Sequence, residues 1–443
     1  MRSREPSFEQ FHVLSFEGPD PYSRAGGIAS RVTGLISALA DSGHETHLWF
    51  VGDPEGPAHE TRGHLHLHRW CQWISAHHPD GVYAGEDVKC MDYAASLPPY
   101  MVQHALLPAL ERKGHVVVLA EEWHTADAVL HLDWLLREAG LRDCVTMFWN
   151  ANNTFGFDRI DWPRLNAAAT LVTVSRYMRQ RMRLHGVDPL VIANGLSPES
   201  LCTPDPVAVA KLRSRLAGRV ALVKVARWDP DKRWLLAVDT VAELKRQGHA
   251  PLLVARGGIE SHEHDVVARG RSLGLRIVER RAGAAGPEGL LESLHDATHA
   301  DMIVLRSHLD ATARGVLLRN ADAVLANSEH EPFGLVGLET MAVGGLACTG
   351  ASGEDYAIDG QNALVLHQDD PREFVSLFRR VRSGTGTDLN MRRAAMLTAR
   401  RFAWSQIVER SLLPRVHARL SSSAPTPAAR RTAGGSLSAD ARD

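Results

Sequence analysis

Short apolar runs rich in β-branched residues alternate with longer amphipathic stretches along most of this chain. Such alternation is typical of βα units, which build a parallel sheet covered by helices. The pattern starts near residue 11 and starts again near residue 220. Because one hydrophobic core stops growing at roughly 250–300 residues, the 443 residues predict two doubly wound α/β domains.

The domain boundary is predicted where both periodicities stop. Asn194-Gly195 and the proline-bearing stretch 196–206 interrupt them, which indicates a hinge. We therefore assign residues 1–198 to an N-terminal domain and 199–402 to a C-terminal domain. Helical spacing returns at about 403–420, and the Ser-, Ala- and Pro-rich residues 421–443 are predicted to form a disordered tail.

Charge and cysteine content exclude several classes of partner and location. Fifty Lys and Arg residues against 52 Asp and Glu give a net charge of −2, so no global field draws the protein to nucleic acid or an anionic membrane. The five cysteines are scattered without a CxxC pair, which favours a reducing compartment. No apolar run is long enough to span a membrane. We expect a cytoplasmic protein without an integral membrane segment, and its oligomeric state is open.

Two strand-to-helix turns carry groups that suit a phosphate. Gly26 and Gly27 precede the first helix, where free N–H groups and the helix dipole favour an anion, although a glycine pair there is also found in ordinary tight turns. In the second domain, Arg227 and Lys232 follow the first strand, at the sheet edge where open α/β folds bind ligands. Together they would neutralise a diphosphate, or they belong to a solvated loop. The intervening Asp229-x-Asp231 lies between cations, and we do not expect it to bind a metal.

The segment 323–366 has the most specific pattern. A strand is followed by Glu331, then by Pro332-Phe333-Gly334-Leu335 at the start of a helix that carries Glu339. Proline and glycine at a helix start leave N–H groups free for an anion, and two carboxylates can accept hydrogen bonds from vicinal hydroxyls. One would hold a sugar and the other a ribose.

In combination these motifs resemble the retaining family-4 glycosyltransferases of the GT-B fold, a group related to bacterial glycogen synthases. The resemblance rests on EPFGLVGLE, the GG loop, the R-x4-K pair and GASGEDYAIDGQNALVL, which occur in the family's order. It implies two Rossmann-like domains facing a central cleft, with a nucleotide sugar on the C-terminal domain. It also implies that the last helix, with Phe402 and Trp404, crosses back onto the first domain.

The resemblance implies a role for individual residues of this sequence. Glu331 would contact the transferred sugar and support catalysis, and Glu339 would accept hydrogen bonds from the nucleotide ribose. The donor diphosphate would be held by side chains or backbone of Arg227, Lys232, Gly26, Gly27, Phe333, Gly334, Leu335 and Val336. We expect a UDP sugar, with GDP and ADP sugars as alternatives, and neither a metal nor another cofactor.

The chain departs from the family at Glu121-Glu122-Trp123-His124. Glu121 stands where these relatives carry a histidine that reaches the donor sugar. Glu121 or His124 could take over this catalytic role, or the site is altered. The alternatives to a glycosyltransferase are therefore a sugar-nucleotide epimerase on the same fold and a catalytically silent nucleotide-sugar-binding protein. Glu339 in an intact E-x7-E pattern favours transfer.

The acceptor is less defined than the donor. Asn150, Asn152 and Asn153 follow a strand and suit sugar hydroxyls, or they form a structural turn. The segment 57–105 is too long for an ordinary connection and is predicted to shape the acceptor pocket. A sugar, a lipid or a small molecule could be the acceptor.

Three histidines alternate in a short apolar segment, His64, His66 and His68. On a strand they would share one face, which raises the possibility of a metal site. We favour a half-exposed strand in a histidine-rich protein.

Overall fold

The computed structural model describes residues 9–112, 114–295, 299–384 and 386–423. Within them, eight strands form a first sheet in the order β3-β4-β2-β1-β5-β6-β7-β8. All neighbouring pairs are parallel except β3 with β4. The strands are β1 (Glu9–Leu14), β2 (Glu45–Val51), β3 (His59–Arg62), β4 (Leu65–Trp70), β5 (His115–Glu121), β6 (Val145–Ala151), β7 (Thr170–Thr173) and β8 (Leu190–Val191).

Helices cover both faces of this sheet. They are α1 (Gly27–Asp41), α2 (Gln72–Ser75), α3 (Glu86–Met101), α4 (Leu107–Glu111), α5 (Ala126–Glu138), α6 (Trp162–Ala168) and α7 (Arg176–Arg183). The apolar stripe of α1, with Val32, Leu35 and Leu39, is buried because these residues recur at helical spacing.

The second sheet has seven parallel strands among the described residues, in the order β11-β12-β10-β9-β13-β14-β15. They are β9 (Val220–Val225), β10 (Pro251–Arg256), β11 (Ile277–Arg280), β12 (Met302–Leu305), β13 (Ala323–Ala326), β14 (Ala347–Thr349) and β15 (Leu364–Val365). The surrounding helices are α8 (Pro206–Arg215), α9 (Trp234–Arg246), α10 (Glu263–Ser272), α11 (Gly286–Ser293), α12 (Ala311–Asn320), α13 (Leu335–Ala342), α14 (Pro371–Ser383) and α15 (Thr387–Arg400). The prediction of two doubly wound α/β domains is confirmed.

The chain crosses between the two lobes twice, at adjacent positions. Leu196 N–H donates to Phe402 O at 2.6 Å, and Trp404 N–H donates to Leu196 O at 3.2 Å. The Trp404 ring packs so closely that a Cβ at Gly34 would lie 2.1 Å from its Nε1. The predicted boundary at residue 198 lies in this crossing region.

After the crossing, α16 (Trp404–Ile407) and α17 (Leu413–Ser423) are joined by a wider helical turn over Val408–Leu412. Buried residues of this segment belong to the same apolar cluster as α1 and β1 of the first lobe. Helix α17 extends to Ser423, three residues beyond the predicted start of the tail at residue 421. The remainder of that tail, 424–443, lies outside the described residues.

The segment 57–105, which is too long for an ordinary connection, has regular secondary structure of its own. Its role at the acceptor pocket stays a prediction. The segment contains β3, β4, α2 and the whole of α3. Its two strands form the outer edge of the first sheet. Tyr93 of α3 is buried and its hydroxyl donates to Trp49 O at 2.8 Å. Apolar residues of this segment therefore complete a core rather than line a loop.

Candidate functional site

Loops at the carboxyl ends of the two sheets meet each other. Arg176, at the start of α7, donates from its backbone N–H to Asp355 Oδ2 at 2.8 Å and from Nε to Oδ1 at 3.0 Å. Asp355 belongs to the loop after β14. Ligands of open α/β sheets bind at this edge, where the residues that follow β5, β6, β9 and β13 lie.

Two loops of the second lobe bring Lys232 and Glu331 together. Lys232 Nζ lies 3.0 Å from Glu331 Oε2 and 3.5 Å from Asp231 Oδ2. The loops are tied by backbone as well, since Glu329 N–H donates to Asp231 O at 2.8 Å. Arg227 lies at the end of β9 with its side chain 63% exposed and its nearest ion-pair partner, Asp229, at 3.9 Å. A cation with such a distant partner is available to a ligand.

The start of α13 has the conformation that the Pro-Phe-Gly-Leu pattern predicts. Gly334 has φ +79°, and a Cβ there would lie 2.6 Å from Glu354 Cγ, so glycine is required by both backbone and space. The Phe333 ring is buried between Tyr356 and Phe402 at centroid distances of 5.8 and 6.0 Å. Leu335 and Val336 form the first turn of the helix.

Glu354, within the motif GASGEDYAIDG, is a further candidate that its spacing in the sequence did not indicate. It is 5% exposed, and burial, reinforced by the charge of Glu331, raises its pKa to about 8. Ser352 Oγ accepts the N–H of Glu331 at 2.9 Å and lies 3.3 Å from Glu354 Oε2. A protonated carboxyl beside a carboxylate can donate a hydrogen bond that an ionised one cannot.

This protonation predicts a stability that falls with pH. Glu122, at the end of β5, also has its pKa raised to about 8 by burial. In the unfolded chain both carboxyls ionise near pH 4.3. Their contribution to the free energy of unfolding is therefore complete below that pH and is lost as the pH rises through about 8. For each group the free energy of unfolding falls by on the order of 1 kcal/mol per pH unit in this range. Urea unfolding at about pH 6 and pH 8 should show this loss.

Glu354→Gln should remove part of this pH dependence. The matched control is Glu409→Gln, on the exposed surface of the C-terminal segment, which should leave the pH dependence unchanged. Equal slopes for Glu354→Gln and the unsubstituted protein would contradict the assignment.

Glu339 lies one turn into α13 and lines a cavity. Its Oε1 is 3.0 Å from Arg314 Nη2, and burial raises its pKa. The cavity, of about 260 Å³, is lined by α12, α13 and the segment 199–205. A carboxylate held by an arginine at the wall of such a cavity can accept hydrogen bonds from a diol.

The glycine loop of the first lobe already holds an anion from the protein itself. Glu17 Oε2 accepts the N–H groups of Gly26 and Ala29, each at 3.0 Å, and Glu17 is 2% exposed. A carboxylate at a helix N-terminus satisfies its free donors. The Gly26 N–H is thus paired within the protein, and its assignment to a donor phosphate stays a prediction. Gly27 faces open space, since nothing lies within 4 Å of the position of a Cβ.

Glu121 belongs to a buried polar network instead of an open sugar site. Its Oε2 accepts from Arg31 Nε at 2.9 Å, Asn150 Nδ2 at 2.8 Å and Asn152 Nδ2 at 2.9 Å. Arg31 also donates to Asn194 Oδ1 at 2.6 Å, close to the crossing between the lobes. Because Glu121 is 1% exposed, its predicted contact with a sugar, and those of Asn150 and Asn152 with an acceptor, are replaced by internal contacts.

His124 has a different environment from Glu121. It stacks on Phe16 at a centroid distance of 4.4 Å, and its Nε2 lies 2.8 Å from Glu86 Oε1. Burial lowers its pKa. Among the described residues no hydrogen bond or ion pair joins His124 to the Glu121 side chain, so the two candidates do not form one unit. The third acceptor candidate, Asn153, accepts the N–H of Phe155 at 2.8 Å, which is a structural turn.

Two groups of side chains among the described residues could hold a metal ion. Asp231, Glu329 and His330 adjoin the Lys232–Glu331 pair, and Glu45, His47 and His66 lie in the first lobe; in each group one ligand atom per residue lies within 4.8 Å of the others. No described helix is both long and apolar enough to cross a membrane.

Residues 215–397 match the family model of glycosyl transferases group 1. A D-inositol 3-phosphate glycosyltransferase of Thermomonospora curvata is 26% identical over 133 residues, which are 30% of this chain and 31% of that protein. The chain thus aligns with about a third of the length of this curated relative.

The likeness to solved structures extends over both lobes. Sucrose-phosphate synthase of Thermosynechococcus elongatus covers 94% of this chain and 100% of its own, with a TM-score of 0.62 and 17% identity. Starch synthase IV of Arabidopsis thaliana, bound to ADP and acarbose, covers 95% of this chain and 99% of its own, with a TM-score of 0.63 and 14% identity. The trehalose-6-phosphate protein of E. coli bound to UDP-2-fluoro glucose covers 93% of this chain and 99% of its own, with a TM-score of 0.62 and 14% identity. The prediction of the GT-B fold is confirmed.

Proposed function

We propose that this protein is a retaining glycosyltransferase of family 4, in the group related to glycogen synthases, which transfers a sugar from a nucleotide sugar to an acceptor hydroxyl. The observation that carries the proposal is the meeting of Lys232 and Glu331, 99 positions apart, at the carboxyl edge of the second sheet. Both lie in the part of the chain that matches the glycosyl transferase model.

Lys232 and Arg227 are assigned to the donor diphosphate. Cleavage of a glycosyl–phosphate bond develops negative charge on the leaving group, and cations already in position stabilise that charge without reorganisation. Two cations suffice for this purpose, so we propose that the reaction needs no metal ion. The backbone from Phe333 to Val336 at the start of α13, together with Gly27, would supply further N–H donors.

Glu331 is assigned to the transferred sugar. In the absence of donor it is paired with Lys232, and when a diphosphate draws the lysine away its oxygens become free to accept sugar hydroxyls. The neighbouring Glu354, which keeps its proton, would donate a hydrogen bond in the same site. Retention would follow a front-face route, in which the leaving phosphate helps to deprotonate the acceptor.

The nucleoside is assigned to the cavity beside α13. Glu339 would accept from the ribose hydroxyls there, with Arg314 holding the carboxylate in place. A volume of about 260 Å³ is close to the lower limit of pockets for small ligands. UDP is our first expectation for the donor nucleotide, with ADP and GDP as alternatives, and no other cofactor.

The acceptor is assigned to the first lobe, because the donor is assigned to the second. A sugar, a lipid headgroup or a small molecule with a free hydroxyl would serve. The cytoplasmic location that we expect agrees with five free cysteines, and it stays a prediction.

A panel of UDP, GDP and ADP sugars tests the proposal. One nucleotide class should raise the melting temperature, since a ligand at 100 times its Kd adds about 2.7 kcal/mol of stability. Its sugar should then be transferred, with release of free nucleotide, to a member of an acceptor mixture. NMR of the product should show the donor's anomeric configuration, and EDTA should leave the rate unchanged.

Other outcomes distinguish the alternatives. Binding without turnover would favour a silent binding protein, and an altered donor sugar without transfer would favour an epimerase. The absence of binding by every nucleotide sugar would contradict the proposal.

A further inference from the structure

One face of the first sheet carries a layer of histidines that the proposed function does not use. The strand register aligns His12 of β1 with His47 of β2, and His47 with His66 of β4. The rings stack at centroid distances of 4.6 Å for His12–His47 and 4.5 Å for His47–His66. His68, two positions further along β4, lies 5.2 Å from His47. The alternating histidines noted in the sequence thus meet others from neighbouring strands.

At one end of this layer three side chains converge. Glu45 Oε1 contacts His66 Nε2, and one ligand atom each of Glu45, His47 and His66 lies within 4.8 Å of the others. The side chains of Glu45 and His66 are 25% and 21% exposed, so an ion can reach them from solvent. Glu45 begins β2 and therefore lies at the amino edge of the first sheet, whereas the proposed donor site lies at the carboxyl edge of the second sheet.

Gln10 provides a second observation at the same place. It is 3% exposed, its Nε2 lies 2.5 Å from His47 Nε2, and its Oε1 has no hydrogen-bond partner among the described residues. A buried amide oxygen without a donor is costly. A half-turn of the amide directs this oxygen toward His47 and the converging group, where a cation would satisfy it.

We propose that Glu45, His47 and His66 bind one divalent transition-metal ion, with Gln10 Oε1 or water at the fourth position. Two imidazoles and a carboxylate are ligands that Zn²⁺ accepts in tetrahedral sites. The ion would link β2 to β4 and hold the outer edge of the first sheet.

Metal titration of the full-length chain without a histidine tag tests this site. After treatment with EDTA and desalting, calorimetric titration with Zn²⁺ should show one equivalent bound per chain. His66→Ala should weaken this binding by at least about 100-fold, the upper range for loss of a ligand's supporting partner. His330→Ala, which alters the other candidate group, should leave it unchanged. Binding lost in His330→Ala but kept in His66→Ala would overturn the proposal, as would no binding at all.

X-ray absorption of the unsubstituted protein with one equivalent of Zn²⁺ gives a result that does not depend on folding of the variants. The spectrum should show two imidazole nitrogens at about 2.0–2.1 Å together with oxygen ligands. A shell of oxygen alone, or of one imidazole, would overturn the assignment. Circular dichroism of His66→Ala in EDTA serves as the check on its fold.

Discussion

Replacing Lys232 by alanine should lower kcat for sugar transfer by about 100- to 1,000-fold, the usual cost of removing one group that stabilises developing negative charge. The side chain is 17% exposed and lies 3.0 Å from Glu331, so it is held at the carboxyl edge of the sheet. Its removal also leaves the Glu331 carboxylate without its cation, which would repel an incoming diphosphate. Nucleotide affinity should therefore fall as well, which calorimetry with the free nucleoside diphosphate would measure.

Lys211→Ala is the matched control for this prediction. Lys211 is an exposed lysine of α8, in the same lobe but outside the strand-end loops. It should keep both the rate and the affinity. If Lys232→Ala behaves like Lys211→Ala, the diphosphate is not bound at the Lys232–Glu331 pair.

Replacing Glu121 by alanine should lower the free energy of unfolding by about 3–5 kcal/mol. Arg31 is 5% exposed and would remain buried without its carboxylate, and the amides of Asn150 and Asn152 would lose their acceptor. Glu121→Gln should cost less, because the amide keeps an oxygen for one of these donors. Urea unfolding of both variants measures the difference.

Arg246→Ala is the control for an exposed ion pair, since its side chain is 70% exposed in a pair with Glu243. It should change stability far less than Glu121→Ala, because exposed pairs contribute little. Normal stability of Glu121→Ala combined with lost turnover would instead return Glu121 to the catalytic role that the family resemblance implies.

The donor lobe could be predicted in some detail because its motifs are local. Glycine at position 334 is required by the backbone conformation that precedes α13, and Glu331 and Glu339 lie before and within that short helix. Arg227 and Lys232 follow a single strand in one turn. Spacing along the chain therefore limits where such side chains can lie relative to each other.

The first lobe was predicted less well because its decisive contacts join distant positions. The sequence alone does not show that the backbone N–H of Gly26 is already paired. Its acceptor is the Glu17 carboxylate, nine positions away. Glu121 was compared with a family histidine, but its partner Arg31 is separated from it by 90 positions. Neither pair of residues is marked by a repeating pattern in the sequence, so a single sequence does not show that they meet.

Alternating apolar and amphipathic segments by themselves determined two parallel-sheet domains, since the period of burial follows from local backbone geometry. They also determined which residues open each strand-to-helix turn. Only the tertiary structure decided which of the polar residues at those turns are already paired within the protein, as Glu121 and Gly26 are, and which, like Arg227, remain exposed for a ligand. The physical reason is that pairing and burial depend on which strands and helices become neighbours. The order of strands in the sheet decides this, and the spacing of residues within one segment does not reveal that order.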